Sequence, residues 1–287
     1  MPNRSWVPWL ARAAWLSLSL TAGSVLADAL AERSTPVQLA ASVLLWAAWA
    51  GVVFALLLPR PLGLVALRVG APAALAAAAW AAVDSGGGTP LVALSAVPTV
   101  VGFLPETGRW LVNGTAYGDE RRHLLRLPAT LFAGPVELAG LLVPVALVAG
   151  PLLLAARAWV AGALAIAVGM PLAVVLVRAL HALTMRWLVM VPAGIVVKDH
   201  LVLAEPFLFR RTDVASLAPA PADTDAVDLT AGAFGLALEL RLRTPVEVVR
   251  VVGRNRSATA ELGALLVTPT RPGAALADAG ARRLPVG

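Results

Sequence analysis

The sequence predicts an α-helical membrane bundle of about six transmembrane helices, joined to a small cytoplasmic β domain, a barrel or sandwich, that a helix caps. Two observations predict this fold class. Six apolar stretches run between Trp6 and Leu180, with arginines mainly on alternate loops between them. After Trp187 the pattern changes to short alternating segments with charges and turns, which is typical of β-strands. We therefore place the transmembrane domain at residues 1–186.

The length of each apolar stretch indicates where the spans lie. A bilayer core of about 30 Å needs about 20 helical residues. The expected spans are 13–31, 37–58, 62–83, 89–105, 129–150 and 152–180. The second contains no charged residue, whereas the fourth is short and contains Pro98. A re-entrant segment is the alternative for the fourth span, and only the Gly150-Pro151 turn separates the fifth from the sixth.

The arginines indicate the orientation, because loops that stay in the cytoplasm carry an excess of Lys and Arg. The arginines expected on the cytoplasmic side are Arg4, Arg12, Arg60, Arg68, Arg109, Arg121, Arg122, Arg126, Arg178 and Arg186. Only Arg33 and Arg157 fall on the other side. We therefore expect a multi-pass protein of the cell inner (plasma) membrane with both termini in the cytoplasm. The first apolar run resembles a signal peptide ending at Ala27-Asp28-Ala29, but it pairs naturally with the second span, so we expect it to be retained.

Small residues recur at four-residue spacing in two of the expected spans. They are Ala73, Ala77 and Ala81 in the third span, and Ala161, Ala165 and Gly169 in the sixth. Such ridges allow close approach of helix backbones, although alanine is so common here that the spacing can arise by chance. Tryptophans near the span ends are expected to be interfacial anchors. They are Trp6, Trp9, Trp110, Trp159 and Trp187.

The loop at residues 106–128 is the longest polar segment of the membrane part. Asp119 is placed to cap a short helix over residues 120–127, which carries leucines and arginines and would lie in the headgroup plane. We take the polar side chains of this loop as candidates for binding a partner or lipid headgroups. They are Arg109, Tyr117, Asp119, Arg121, Arg122, His123 and Arg126. The alternative is a solvated helix whose arginines only satisfy the positive-inside rule.

One acidic residue falls inside an expected span. Glu137 lies nine residues into the fifth span, and a charge at the centre of a membrane helix costs about 2.5–3.5 kcal/mol on insertion scales. Arg157, in the expected sixth span, is a candidate partner, although their depths would differ by roughly 10 Å. Glu137 is therefore a candidate proton-relay or cation site, or else a buried hydrogen-bonding group.

The tail at residues 187–268 predicts a small antiparallel β domain. Strands are expected around the turns at 192–194 and 198–200, and a hairpin is expected about Thr244-Pro245. Asn255–Ser257 is placed to cap a helix that starts near Ala258. We expect residues 269–287, which are rich in proline, to be loosely ordered.

A strand–turn–strand opening directly after a membrane helix, with a closing helix, resembles the bacterial pleckstrin-homology-like (PH-like) domains that are appended to membrane spans. More broadly, the chain resembles uncharacterised Ala/Val/Leu-rich integral membrane proteins of actinobacteria, through the segments NGTAYGDERRHLLRLP and VPAGIVVKDHLVLAEP. The resemblance implies a binding or scaffolding tail. It brings no activity with it.

Composition and motifs favour a protein that is not an enzyme. The chain has no cysteine and three widely spaced histidines, which excludes thiolate chemistry and gives no metal or haem pattern. It contains no P-loop, nucleophile elbow or dinucleotide fingerprint. We therefore expect no catalytic, metal or cofactor site and no nucleic-acid partner. The expected function is a scaffold or accessory subunit that docks anionic lipid headgroups or other membrane-protein subunits. The alternative is a transporter or lipid-handling protein that uses Glu137.

Overall fold

A computed structural model describes residues 6–86, 89–253 and 256–287 of the 287-residue chain. Arg4 and Asn255 lie outside the described residues. The chain divides into two compact units. The helical unit comprises Met1–Gly114 and Val136–His181, and the sheet unit comprises Thr115–Pro135 and Ala182–Gly287. The sheet unit is thus built from two separate parts of the chain, and we call the first of them, Thr115–Pro135, the inserted segment.

The apolar stretches form the helices of the N-terminal part. They are α1 (Val7–Leu16), α2 (Ala22–Ala31), α3 (Thr35–Leu57), α4 (Pro61–Ser85), α5 (Thr89–Ser95), α6 (Val97–Phe103), α7 (Pro105–Asn113), α8 (Ala129–Phe132), α9 (Pro135–Ala155) and α10 (Trp159–Thr184). Among the described residues, five helical stretches are long and apolar enough to cross a membrane, and a sixth if a bent pair counts as one span. This chain is therefore a membrane protein by the length and composition of its helices.

The fourth, fifth and sixth predicted spans differ from the helices observed. The fourth, 89–105, corresponds to Pro90–Phe103, and this stretch is bent by 58° against the next helix, Pro105–Asn113, which lies in the predicted polar loop. The predicted turn at Gly150-Pro151 is wrong, because α9 continues through Pro151 as far as Ala155. Proline is tolerated inside membrane helices when neighbouring groups satisfy the freed backbone, so Pro151 alone does not end this helix.

Polar side chains satisfy backbone carbonyls where the helices end. At the bend before Pro105, the Thr107 hydroxyl donates to the Val101 carbonyl at 2.7 Å, and the Arg68 guanidinium donates to the Gly102 carbonyl at 3.2 Å. These bonds matter because an unsatisfied carbonyl in an apolar medium costs several kcal/mol, of order 4–8 on alkane transfer scales. Arg68, whose charge is expected to orient the chain in the membrane, therefore also stabilises the bend.

Glycine allows helices α9 and α10 to pack backbone against backbone. A Cβ at Gly169 would lie 2.6 Å from the Ala146 carbonyl oxygen, and one at Gly162 would lie 2.6 Å from the Leu154 side chain. In contrast, a Cβ at Gly140 would meet nothing within 4 Å. The close approach at Gly169 fits the packing expected for the small-residue ridge of the sixth span.

Besides the short helix α8, the described residues of the sheet unit form eight strands and a further helix. They are β1 (Arg121–Leu124), β2 (Trp187–Val191), β3 (Gly194–Lys198), β4 (Phe207–Arg210), β5 (Val214–Pro219), β6 (Val227–Asp228), β7 (Leu238–Gly253), β8 (Arg256–Val267) and α11 (Pro272–Ala281). They make two four-stranded sheets, in the orders β1-β2-β3-β4 and β5-β7-β8-β6. All neighbours are antiparallel except β6 and β8.

The two sheets share one hydrophobic core. Fully buried side chains come from the first sheet, as with Leu188 and Phe209, and from the second, as with Leu240 and Leu265. Ala279 of α11 is also buried in this core, and so is Leu125 of the inserted segment. Each fully buried leucine or phenylalanine contributes about 1.5–3 kcal/mol relative to an exposed one. Within the described residues the strands form these two sheets and do not close into one barrel.

Three predictions about the tail are wrong. The expected hairpin about Thr244-Pro245 is one continuous strand, β7, with an irregularity in pairing between Arg241 and Val246. The helix expected from Ala258 is strand β8, because its local helix propensity is overridden by pairing with β7. Residues 269–287 are not loosely ordered throughout, since α11 forms there and Leu284 is 4% exposed.

Candidate docking face of the sheet unit

The loop expected to carry a membrane-surface helix contributes a strand to the sheet unit. Arg121–Leu124 forms β1 and pairs antiparallel with β2, with Arg122 opposite Val189. Beyond β1, the Leu125 N–H donates to the Arg186 carbonyl at 3.0 Å. The expected helix over residues 120–127 is therefore wrong. The arginines and leucines have a spacing that suits either structure, and the pairing partner lies more than 60 residues away.

Arg122 is used inside the sheet unit. Its guanidinium donates to the Glu120 carboxylate at 2.8 Å and to the Thr115 hydroxyl at 2.8 Å. It also lies 4.4 Å from the ring centroid of Trp187, and the Lys198 ammonium lies 4.7 Å from that ring centroid. The hydrogen bond from Arg122 lowers the pKa of the Glu120 carboxyl. Arg122 therefore holds the start of β1 and is not free to bind a ligand.

Trp187 is not the interfacial anchor expected from its place in the sequence. It is 4% exposed, and its indole N–H donates to the Thr184 carbonyl at 2.7 Å. A cation near the face of an indole ring stabilises by about 0.5–1 kcal/mol at exposed sites and more when it is desolvated. Trp187, in β2, thus contacts the side chains of Arg122 in β1 and Lys198 in β3.

His123 and Asp119 contact the C-terminal helix. The imidazole Nε2 of His123, whose side chain is 3% exposed, lies 3.1 Å from a carboxylate oxygen of Asp278 in α11. The guanidinium of Arg282 donates to the Asp119 backbone carbonyl. Two points of the inserted segment therefore bind the end of the chain, which gives both residues a structural role.

A buried ion pair that the sequence did not indicate lies in the second part of the sheet unit and also contacts the inserted segment. Arg186 and Asp199 have side chains that are 1% and 0% exposed, and they form two bonds of 2.7 and 2.6 Å. Arg186 also donates to the Arg126 carbonyl at 2.9 Å. Arg186, which the arginine pattern assigns to the cytoplasmic side, is therefore a buried residue of the sheet unit. Only its position between a helix and a strand could have indicated a different role.

His200 follows this pair and is affected by it. Partial burial, together with the charges of Arg186 and Lys198, lowers the pKa of the His200 imidazole, although the neighbouring Asp199 carboxylate opposes this effect. The lowered pKa follows from the physical rule that burial and nearby positive charge disfavour the protonated imidazole.

The remaining candidates divide between an exposed face and the helical unit. Tyr117 is 90% exposed, and Arg121 is exposed with its guanidinium donating to the Glu120 carbonyl at 2.8 Å. Asp119 is exposed beside them in the chain. We call Tyr117, Asp119 and Arg121 the docking face. Arg109 is exposed on α7, in the helical unit.

The two candidates inside the membrane part lie at opposite ends of one helix. Glu137 is in the first turn of α9 and is exposed, so the expectation that it lies mid-span is wrong. Arg157 lies after the last turn of α9, where its backbone is left-handed, with φ of 64°. Twenty helical residues rise about 30 Å, so Glu137 and Arg157 do not form the pair considered above. A carboxylate in the first turn is instead favoured by the helix dipole.

The described residues contain no group of three or more His, Cys, Asp or Glu side chains arranged to hold a metal ion. Comparisons with protein-family models, curated proteins and solved structures gave no match to this chain.

Proposed function

We propose that this chain is a non-enzymatic, multi-pass protein of the cell inner membrane, with both termini in the cytoplasm. In this proposal the sheet unit is a PH-like cytoplasmic domain that acts as a scaffold or accessory subunit and docks another membrane-protein subunit. The observation that carries the proposal is that the inserted segment belongs to the sheet unit. This segment gives two chain connections to the helical unit, after Gly114 and before Val136, and the second part of the sheet unit gives a third, after His181.

The charge distribution favours a protein partner over anionic lipid headgroups. Most cations of the inserted segment and its surroundings have partners inside the sheet unit, since Arg122 binds Glu120, Arg126 binds the Phe234 carbonyl and Arg186 binds Asp199. The docking face instead contains an exposed tyrosine, aspartate and arginine within five positions of the chain. Tyrosine and arginine are enriched where protein surfaces bind one another. Transport through Glu137 is not part of the proposal, because Glu137 lies at the start of α9.

The test is photo-crosslinking from the docking face in native membranes. A benzophenone amino acid replaces Tyr117 in the full chain, and we expect a discrete adduct with a membrane protein. The added change Arg121→Glu is expected to reduce that adduct at least five-fold, because it reverses a charge that touches the partner. The matched change Thr259→Glu, at an exposed position of β8, should leave the adduct intact. Adducts with lipid alone, no adduct, or an equal loss for both variants would overturn the proposal.

A further inference from the structure

The sheet unit carries exposed apolar side chains that its own core does not use. Phe132 is 60% exposed, Phe234 is 72% exposed and Leu236 is 51% exposed. Phe132 closes the single turn of α8, and the other two lie in the loop between β6 and β7. We call these three side chains the apolar patch.

Backbone contacts hold the two parts of the apolar patch together. The Ala129 N–H donates to the Gly232 carbonyl at 3.2 Å, and Pro128 and Ala233 form a β-bridge. Phe132 ends the helical turn that begins at Ala129, three residues earlier, so a rise of about 4.5 Å separates it from this junction. The loop and α8 are therefore adjacent.

The loop conformation directs Phe234 outward. Leu229 and Leu238, on either side of the loop, are 1% and 0% exposed and fix its ends in the core. Gly235 has φ of 108°, and the guanidinium of Arg126 occupies the space that a Cβ at Gly235 would need. That guanidinium also donates to the Phe234 carbonyl at 3.3 Å. The exposure of Phe234 is thus set by a loop that is fixed at its ends and at its centre.

The place of the apolar patch along the chain identifies what covers it. Phe132 lies three residues before Pro135, the first residue of α9, so no more than about 11 Å of chain separates them. Helix α9 is long and apolar enough to cross a membrane. Residues 127–136 and 230–238 contain no Asp, Glu, Lys or Arg. A surface segment that has no charged residues and lies close in the chain to a membrane-spanning helix is suited to the boundary between headgroups and acyl chains. Aromatic rings are enriched at that boundary.

We propose that the apolar patch inserts into the interfacial region of the bilayer and anchors the sheet unit on the membrane surface. This inference goes beyond the proposed function, since it needs lipid and no protein partner. The two surfaces are also separate in sequence, because the docking face lies at the start of the inserted segment and Phe132 lies near its end.

The absence of cysteine allows a direct test in the full-length protein. Phe234→Cys and, separately, Leu236→Cys are labelled with a nitroxide and reconstituted in vesicles of phosphatidylcholine and phosphatidylglycerol. The control is Ser257→Cys, at an exposed position of β8. Along that strand it lies ten residues, or about 33 Å, from Val267, which pairs with Leu238 at the end of the loop that carries the patch. Collision rates with oxygen, which concentrates in lipid, and with a water-soluble nickel chelate are then compared by electron paramagnetic resonance.

The expected result is a ratio of oxygen to nickel collision rates at least five-fold higher for both patch labels than for Ser257→Cys. Equal ratios at all three positions would overturn the proposal. Protection of the patch labels from both reagents would overturn it as well, because it would show that protein covers the patch. The vesicles contain only this protein and lipid, so a failure here is distinct from a failure to find a docking partner.

Discussion

The guanidinium of Arg186 and the carboxylate of Asp199 form a buried, two-bond ion pair at the junction of the two parts of the sheet unit. The third nitrogen of Arg186 binds the backbone of the inserted segment at Arg126. The Leu201 N–H donates to the same carboxylate at 3.0 Å. Because each charge is fully paired and hydrogen-bonded, the interior can hold both ions. The pair itself lies after α10, and the bond from Arg186 to the Arg126 carbonyl connects it to a segment that precedes α9.

Breaking this pair should destabilise the sheet unit strongly. Asp199→Asn leaves the charge of Arg186 buried without a counterion, and the expected loss is about 3–5 kcal/mol in the free energy of unfolding. Hydrogen exchange of the purified full chain should show faster exchange at the amides of Leu125 and Arg126, which bind the Arg186 and Thr268 carbonyls. The double change Arg186→Met with Asp199→Leu should cost less than the sum of the two single changes. A loss below 0.5 kcal/mol, a value of the size expected for an ordinary surface change, would contradict this role.

The packing of α9 against α10 should depend on Gly169. In Gly169→Leu the new side chain would meet the Ala146 backbone, and overpacking of this kind costs about 1–3 kcal/mol. Gly140→Leu is the matched control, since it adds the same side chain to α9 in open space. Thermal denaturation in detergent should give a lower midpoint for Gly169→Leu than for Gly140→Leu. Equal midpoints would show that the glycine contact is not needed.

The stability of the sheet unit should fall in mild acid because of His200. Its pKa is lowered in the folded protein, so the unfolded chain binds more protons in the range that extends down from the ordinary imidazole pKa of about 6.5. The free energy of unfolding therefore decreases as the pH falls through that range. Urea unfolding of the wild type and of His200→Gln between pH 7.5 and 5.5 should give a smaller slope for the variant. An unchanged slope would assign the effect to other groups.

The helices of the membrane part could be predicted because a bilayer sets their length and composition. The charge-free stretch at 37–58 became α3, Thr35–Leu57, almost residue for residue. The bend before Pro105 could be suspected from a short span with a proline. The hydrogen bonds that Arg68 and Thr107 donate at this bend could not be predicted, because they depend on which helices lie side by side.

The first hairpin of the sheet unit could be predicted from the sequence. The addition of β1 and the pairing of β8 with β7 could not. β2, β3 and the turn between them carry local signals, namely alternating apolar residues and the glycine at position 194, where φ is 152°. The inserted segment carries no such signal, because its strand is four residues long and its partner follows two membrane helices. Residues 258–267 favour a helix by composition, and the long pairing with β7 decides otherwise. Among the candidates in the loop at 106–128, Arg122 and His123 proved to be internal contacts, whereas Tyr117, Asp119 and Arg121 are exposed.

Disulfide trapping can show whether the inserted segment and the tail fold as one sheet unit with the β1–β2 register. Arg122→Cys with Val189→Cys places the two thiols on paired residues of adjacent strands in a chain that has no other cysteine. Arg121→Cys with Val189→Cys is the control, because a shift of one residue places the side chain on the opposite face. After mild oxidation in native membranes, mass spectrometry of the digested protein should find the linked peptide at least five-fold more abundant in the first pair. Equal yields, or no linked peptide in the first pair, would contradict the account.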